Sequence, residues 1–172
     1  GIALLDATAH RRTKSLFHSL ALNDVTVSRS SRAGMIEVEV KVDGIFMYSE
    51  RSDGMILATP TGSTAYSLSA NGPILHPTLQ GMVLVPVAPQ ALSNRPIVLP
   101  DHAVVELHVI DGRNPRINCD MQNFAELQRD DIVVVRRSAY SSRFLHPPGY
   151  SYYATLRSKL NWHEMPHLKP RR

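Results

Sequence analysis

Apolar and polar positions alternate with a period of two over much of the chain. Ile36, Val38, Val40 and Val42 interleave with Glu37, Glu39 and Lys41, which predicts a strand with one buried face. Asp43-Gly44 follows with turn chemistry, because Gly tolerates positive φ, and residues 45–48 predict the returning strand. A second Asp-Gly, Asp53-Gly54, precedes an apolar strand at 55–58. Residues 83–87 are almost wholly apolar and read as a buried strand. Further strands are predicted at 97–99, 104–110, 116–119 and 132–137, with Asp111-Gly112 as another turn. Helices are few. Residues 63–70 predict one, capped by Thr61 or Ser63 and ended by Gly72-Pro73, and residues 150–160 predict a second. In the first 20 residues, Leu16, Phe17 and Leu20 fit a helix face, and short strands fit equally. Pro147-Pro148-Gly149 marks a break, so the pattern predicts a mainly β domain over 1–146 and a C-terminal extension over 147–172.

Composition narrows the class. A chain of 172 residues holds one domain, or one domain and an appendage. Apolar residues at 43% and charged residues at 20% belong to a globular protein rather than a disordered one. The single cysteine, Cys119, excludes an internal disulfide and a CxxC zinc site and suits a reducing, cytoplasmic setting. The longest apolar run, 82–89, falls far short of the ~20 residues of a membrane span, which argues against a membrane partner. The N-terminus lacks the features of a signal peptide. It also lacks an initiator Met, which suggests a cut at a domain boundary. The net charge of +4 allows polyanions or anionic small molecules as partners. Its basic residues are scattered apart from Arg11-Arg12, Arg136-Arg137 and the tail Lys169-Pro170-Arg171-Arg172. No aromatic-rich RNA motif accompanies them, so nucleic acid is not expected. Eight histidines show no HExxH spacing, no metal site is expected, and no GxSxG elbow occurs.

Candidate chemistry concentrates in residues 59–70, Thr-Pro-Thr-Gly-Ser-Thr-Ala-Tyr-Ser-Leu-Ser-Ala, between an apolar strand and a predicted helix. Free N–H groups, a helix dipole and the hydroxyls of Thr61, Ser63, Thr64, Ser67 and Ser69 would form a cradle for a phosphate or an adenosine group. A helix entry rich in capping residues explains the same composition. Asn23-Asp24, Arg51-Ser52-Asp53-Gly54, Asn71-Gly72-Pro73 and Asp120-Met121-Gln122 lie beside apolar strands. Taken singly, each reads first as ordinary turn chemistry; taken together, they are also groups able to meet ribose hydroxyls and adenine edges.

Residues 51–73, with their TPTGSTAYSLSA core, resemble the signature of the NAD kinases, especially the bacterial ones. The likeness extends to residues 21–25, Ile74-Leu75-His76-Pro77, Arg95-Pro96, Cys119-Asp120-Met121-Gln122 and 146–162, nearly the whole chain. It implies the sandwich-like, mainly β, NAD-binding C-terminal domain of a two-domain fold whose N-terminal α/β domain is absent from this sequence. In that family the γ-phosphoryl of ATP, or in some members of inorganic polyphosphate, passes to the 2′-hydroxyl of the adenosine ribose of NAD, giving NADP. Mg²⁺ or another divalent cation accompanies ATP. The resemblance further implies a homodimer or homotetramer in which one subunit completes its neighbour's site, and a tail that returns to the N-terminal domain.

Carried over by resemblance, Asn23 and Asp24 match the Asn-Glu/Asp pair that contacts the nucleotide. Asp53 matches an aspartate that can come from the partner subunit, and Arg51 a nearby binding arginine. Thr64, Ala65, Tyr66 and Ser69, with Ser67 and Leu68 between them, match the adenosine-binding face. Ala88 matches a small pocket residue and Gln122 a binding glutamine. Three positions depart from the family pattern. Asp24 is the shorter of the two acids, Asn71 stands where a second Gly is usual, and Met121 stands where Gly or Ser is common. The family's base lies in a Gly-Gly-Asp-Gly loop, and none of the Asp-Gly steps here follows Gly-Gly, so no catalytic residue is assigned. The expectation is a chain that binds the acceptor and transfers little or nothing alone. A stand-alone nucleotide-binding or regulatory module and a related lipid or diacylglycerol kinase are the alternatives.

Overall fold

The computed structural model describes residues 1–30 and 34–162; the basic tail, His163 and His167 lie outside the described residues. The period-two segments form two six-stranded antiparallel sheets. In chain order the strands are β1 (Ile2–Arg11), β2 (Lys14–Ala21), β3 (Asp24–Ser28), β4 (Ile36–Val42), β5 (Ile45–Ser52), β6 (Gly54–Ala58), β7 (Gly81–Val87), β8 (Ile97–Pro100), β9 (Val105–Asp111), β10 (Arg116–Cys119), β11 (Asn123–Glu126) and β12 (Ile132–Ser142). A 3₁₀ turn (Thr61–Thr64) and α1 (Tyr66–Ser69) follow β6, and α2 (Tyr152–Lys159) follows β12. The sheets run β2-β1-β12-β9-β4-β5 and β11-β10-β3-β6-β7-β8.

These strands make one compact unit, Gly1–Ser142, and a second unit begins at Arg143. In the second unit, Ser151 caps α2 by accepting a hydrogen bond from the Ala154 N–H at 3.3 Å, and His146 stacks on Tyr150 at 3.8 Å. Among the described residues no helix is long and apolar enough to cross a membrane.

Alternation builds the core of the first unit. Leu5, Ala7, Val38, Val40, Leu107, Val133 and Val135 from one sheet and Val25, Val27, Met55, Leu57, Leu84 and Ile117 from the other form a single buried cluster. Removal of this apolar area from water is the main force joining the sheets. β3, β6 and β7 are buried on their outer face too. There Ile56, Ala58, Val83 and Val85 form a second cluster with Leu75, and Ala70 packs against it. The segment after β6 thus lies against the outside of this sheet.

Asp43-Gly44 turns as expected, with φ of 52° and 77°, the geometry of a two-residue hairpin. The first 20 residues resolve as the β1–β2 hairpin. Their helical look arises from a bulge: Ala9 pairs with Phe17 and His10 with Ser15, so Leu16 is extra, and Leu16 and Phe17 both reach the core. The helix expected over 63–70 is instead broken at Ala65 (φ −100°, ψ −129°) into the 3₁₀ turn and the single turn of α1, and neither Thr61 nor Ser63 caps it. Ser63 is committed elsewhere. Its hydroxyl donates to the Pro60 carbonyl at 2.6 Å and accepts from the Leu75 N–H at 2.9 Å. A helix dipole is therefore no part of the cradle, since a single turn carries little.

Candidate functional site

Thr59 joins the end of β6 to the start of β3. Its N–H donates to the Asn23 carbonyl at 2.9 Å, its hydroxyl donates to the Leu22 carbonyl at 2.6 Å, and the same hydroxyl accepts from the Gly62 N–H at 3.0 Å. The 3₁₀ turn is drawn onto Asn23 so closely that a Cβ at Gly62 would overlap the Asn23 carbonyl. Glycine is required here by space, not by φ. Asn23, Asp24 and the signature turn thus form one contiguous structure.

The opposite side of this segment is held by Asp120, which follows β10. Its carboxylate accepts from the N–H groups of Leu22 (2.7 Å), Asn23 (2.7 Å) and Asp24 (3.1 Å), while its own N–H donates to the Asp24 carbonyl at 3.0 Å. Asp24 is 2% exposed, and its Oδ1 has no hydrogen-bond partner among the described residues. Burial, and after it the negative charge of Asp120, pushes the Asp24 carboxyl up to about 6. A buried carboxyl oxygen without a donor is unfavourable unless something supplies one, and a ribose hydroxyl has that chemistry.

Around this centre, Thr64, Ala65 and Leu68 are half-buried, and Tyr66 and Ser69 are exposed. Ser67 faces inward: it is wholly buried, and a Cβ on Gly72 would overlap its hydroxyl. Gln122 is exposed and lines a shallow cleft of ≈ 430 Å³ with Phe17, His18, Ser19, Asn123 and Phe124.

Arg51, Asp53 and Ala88 gather at the other end of the sheet. The Asp53 N–H donates to the Val87 carbonyl at 2.9 Å, and the Gln90 N–H donates to the Arg51 carbonyl at 2.8 Å. Ala88 sits in the left-handed region at φ 47°. Arg29 faces the Asp53 carboxylate with Nε–Oδ1 3.3 Å and Nη2–Oδ2 3.4 Å. Asp24 pairs with Ala58 and Ser28 with Gly54, so the two groups are separated by the length of β6, about 14 Å at the usual strand rise. The structure brings Asn23 and Asp24 together with the signature turn, and Arg51 with Asp53 and Ala88. It does not bring the two sets together within one chain.

Both glycine replacements have the same explanation. Asn71 has φ 66° and Met121 φ 58°, each in the left-handed region that glycine adopts freely. The Met121 side chain is 64% exposed, so this residue leaves the buried part of the site unchanged. Sequence reasoning missed three residues: Thr59, Asp120 in its clamping role, and Arg29. Thr59 and Asp120 lie in segments that carried the family likeness, but their bonds run to backbone groups distant in sequence, which no local pattern reveals.

Comparison with known proteins adds independent information. The family model for the ATP-NAD kinase C-terminal domain matches residues 22–147. An NAD kinase of Burkholderia thailandensis is 60% identical over 163 residues, covering 95% of this chain and 54% of the relative. An NAD kinase of Paraburkholderia phymatum is 58% identical over 164 residues, with 95% and 55% covered. The chain spans about half the length of the curated relatives it matches. Among solved structures, a yeast NADH kinase complexed with NADH superposes with a TM-score of 0.74 at 28% identity, over 80% of this chain and 40% of that one. An NAD kinase from Archaeoglobus fulgidus in complex with ATP gives 0.75 at 25% identity, over 94% and 61%.

Proposed function

This chain belongs to the ATP-NAD kinase family, whose C-terminal domain it carries, and from that premise we propose that it binds the acceptor NAD in an enzyme that phosphorylates the 2′-hydroxyl of the adenosine ribose. The observation that carries the reading is Asp24: a buried carboxyl with an unpartnered oxygen, beside Asn23 and under a glycine turn. In this reading Asp24 accepts hydrogen bonds from the ribose hydroxyls and the Asn23 amide fixes the nucleotide's orientation. Thr64, Ala65, Tyr66 and Ser69 offer a surface to adenosine, backed by Ser67 and Leu68, and Gln122 bounds the site, while Ala88, beside Asp53, would bound the neighbouring subunit's.

ATP is the phosphoryl donor, and catalysis of such a transfer rests on positioning and on neutralising the triphosphate charge. Among the described residues no three His, Cys, Asp or Glu side chains converge. In this reading Mg²⁺ or a similar ion would arrive with the ATP phosphates. The sequence contains no Gly-Gly-Asp-Gly loop, so this chain by itself is the acceptor-binding part, with the tail from 147 returning to the N-terminal domain. The enzyme would act in the cytoplasm. The separation of Asp24 from Asp53 supports a homodimer or homotetramer in which Asp53 and Arg51 serve the neighbouring subunit's site.

Calorimetric titration of the chain with NAD tests the reading. Saturable binding is expected, weakened roughly tenfold or more by Asp24→Ala, the loss of one or two hydrogen bonds to a charged group. A folded wild-type chain that binds neither NAD nor NADP would refute it.

A further inference from the structure

We propose that Asp120 is a positioning residue for the nucleotide site: its carboxylate holds the backbone of residues 22–24 and so presents the Asp24 side chain to the ligand. The proposal rests on the reading that NAD binds at Asn23 and Asp24.

The geometry is specific. Three consecutive backbone N–H groups, those of Leu22, Asn23 and Asp24, converge on one carboxylate at 2.7, 2.7 and 3.1 Å. Such convergence forms a small backbone nest, with a side chain of the protein as its anion. Asp120 reaches it from a backbone that residues with a Cβ seldom adopt, φ 55°, followed by Met121 at φ 58°. These two residues form the tight turn from β10 to β11, closed by the Gln122 N–H on the Cys119 carbonyl at 3.1 Å, and the turn aims the carboxylate at residues 22–24. Thr59 takes the carbonyls of the same segment from the other side. The Asn23 peptide is thereby fixed through both its donors and its acceptors.

Holding Asp24 in place has an electrostatic consequence. The anion that organises the backbone also stands close to the Asp24 carboxyl and adds to the effect of burial. The other titratable groups in reach are the Cys119 thiol of β10, which feels Asp24 and Asp120, and Asp6 of β1, which acts on that thiol. At neutral pH Asp24 is an acceptor strained by its neighbour, and a ligand hydroxyl relieves that strain. Acidification through about 6 protonates it and replaces a charged acceptor by a weaker neutral one. Asp120 therefore fixes where Asp24 sits and adds to burial in raising the pH at which it loses its charge.

The test uses the full chain as wild type, Asp120→Asn and Asp120→Gly. Both replacements tolerate left-handed φ, so the turn is preserved. Carboxyl NMR follows the titration of Asp24 without ligand, and calorimetry follows NAD binding from pH 5 to 8. In both variants the Asp24 midpoint should fall while staying above the ordinary carboxylate value, because burial remains. NAD affinity at pH 7.5 should fall roughly tenfold in Asp120→Asn, which keeps one acceptor oxygen, and further in Asp120→Gly. The acid limb of binding should move to lower pH with the midpoint. A residue of merely structural importance would lower affinity equally at every pH and leave the Asp24 midpoint in place, and that result overturns the proposal. If the wild-type chain binds no NAD, the functional reading fails, and the ligand-free titration still decides the role of Asp120.

Discussion

At the scale of single residues, Asp24 sets function against stability. Its carboxyl is pushed up to about 6 from an ordinary value near 3.8, because the buried charge is poorly solvated and faces Asp120. The folded state therefore binds its proton more tightly than the unfolded state does. Its contribution to stability is fully present below pH 4 and is lost as pH rises through 6. Asp24→Asn should remove that slope. We expect the variant to match the wild type near pH 4 and to exceed it by on the order of 2 kcal/mol at pH 8, read from urea unfolding at the two pH values. The exchange of stability for an acceptor in the site is a common property of binding centres. Met121 is the milder counterpart: glycine suits its φ of 58° better, yet its side chain lies largely in solvent.

At the scale of elements, what was legible in the sequence depended on how local the cause was. β4 and β7 could be read directly, because alternation or a continuous apolar run reflects the faces a strand buries. β11 could not. Its four residues, Asn-Phe-Ala-Glu, form an edge strand in which only Ala125 packs against the core. The helix read over 63–70 failed because Ser63 and Gly62 answer to Leu75 and Asn23, partners far along the chain. Within the site, family likeness nominated positions from local sequence, whereas the clamp by Thr59 and Asp120 depends on pairing between elements. A similar long-range tie secures β1. Asp131 is fully buried and accepts from Arg11 Nε at 2.9 Å, Arg11 Nη2 at 3.0 Å and the Gln128 N–H at 2.7 Å. Arg11→Met leaves that carboxylate buried with one donor. A lower denaturant midpoint is expected, with the loss limited because the guanidinium is open to solvent. Adding Asp131→Asn should restore part of it, measured by denaturant midpoints.

At the scale of the whole molecule, the two clusters at opposite ends of β6 make a prediction about assembly. If Asp53 completes a neighbouring subunit's site, Asp53→Ala should weaken NAD binding roughly tenfold. Oligomers mixed from Asp53→Ala and Asp24→Ala chains should then regain about a quarter to a half of the sites, counted by calorimetric stoichiometry, because some sites draw both intact groups from different chains. No recovery in any mixture would place Asp53 in its own chain's site. The strand order carries a consequence of another kind. β1 lies in its sheet between its sequence neighbour β2 and β12, which comes far later in the chain. On a ribosome, β1 must wait on the order of ten seconds for its partner, at ordinary rates of synthesis. Its inward Leu5, Ala7 and Ala9 are half uncovered for that time. The first sheet cannot close until the chain has been read through residue 142, so translational pausing before that point should favour capture by chaperones.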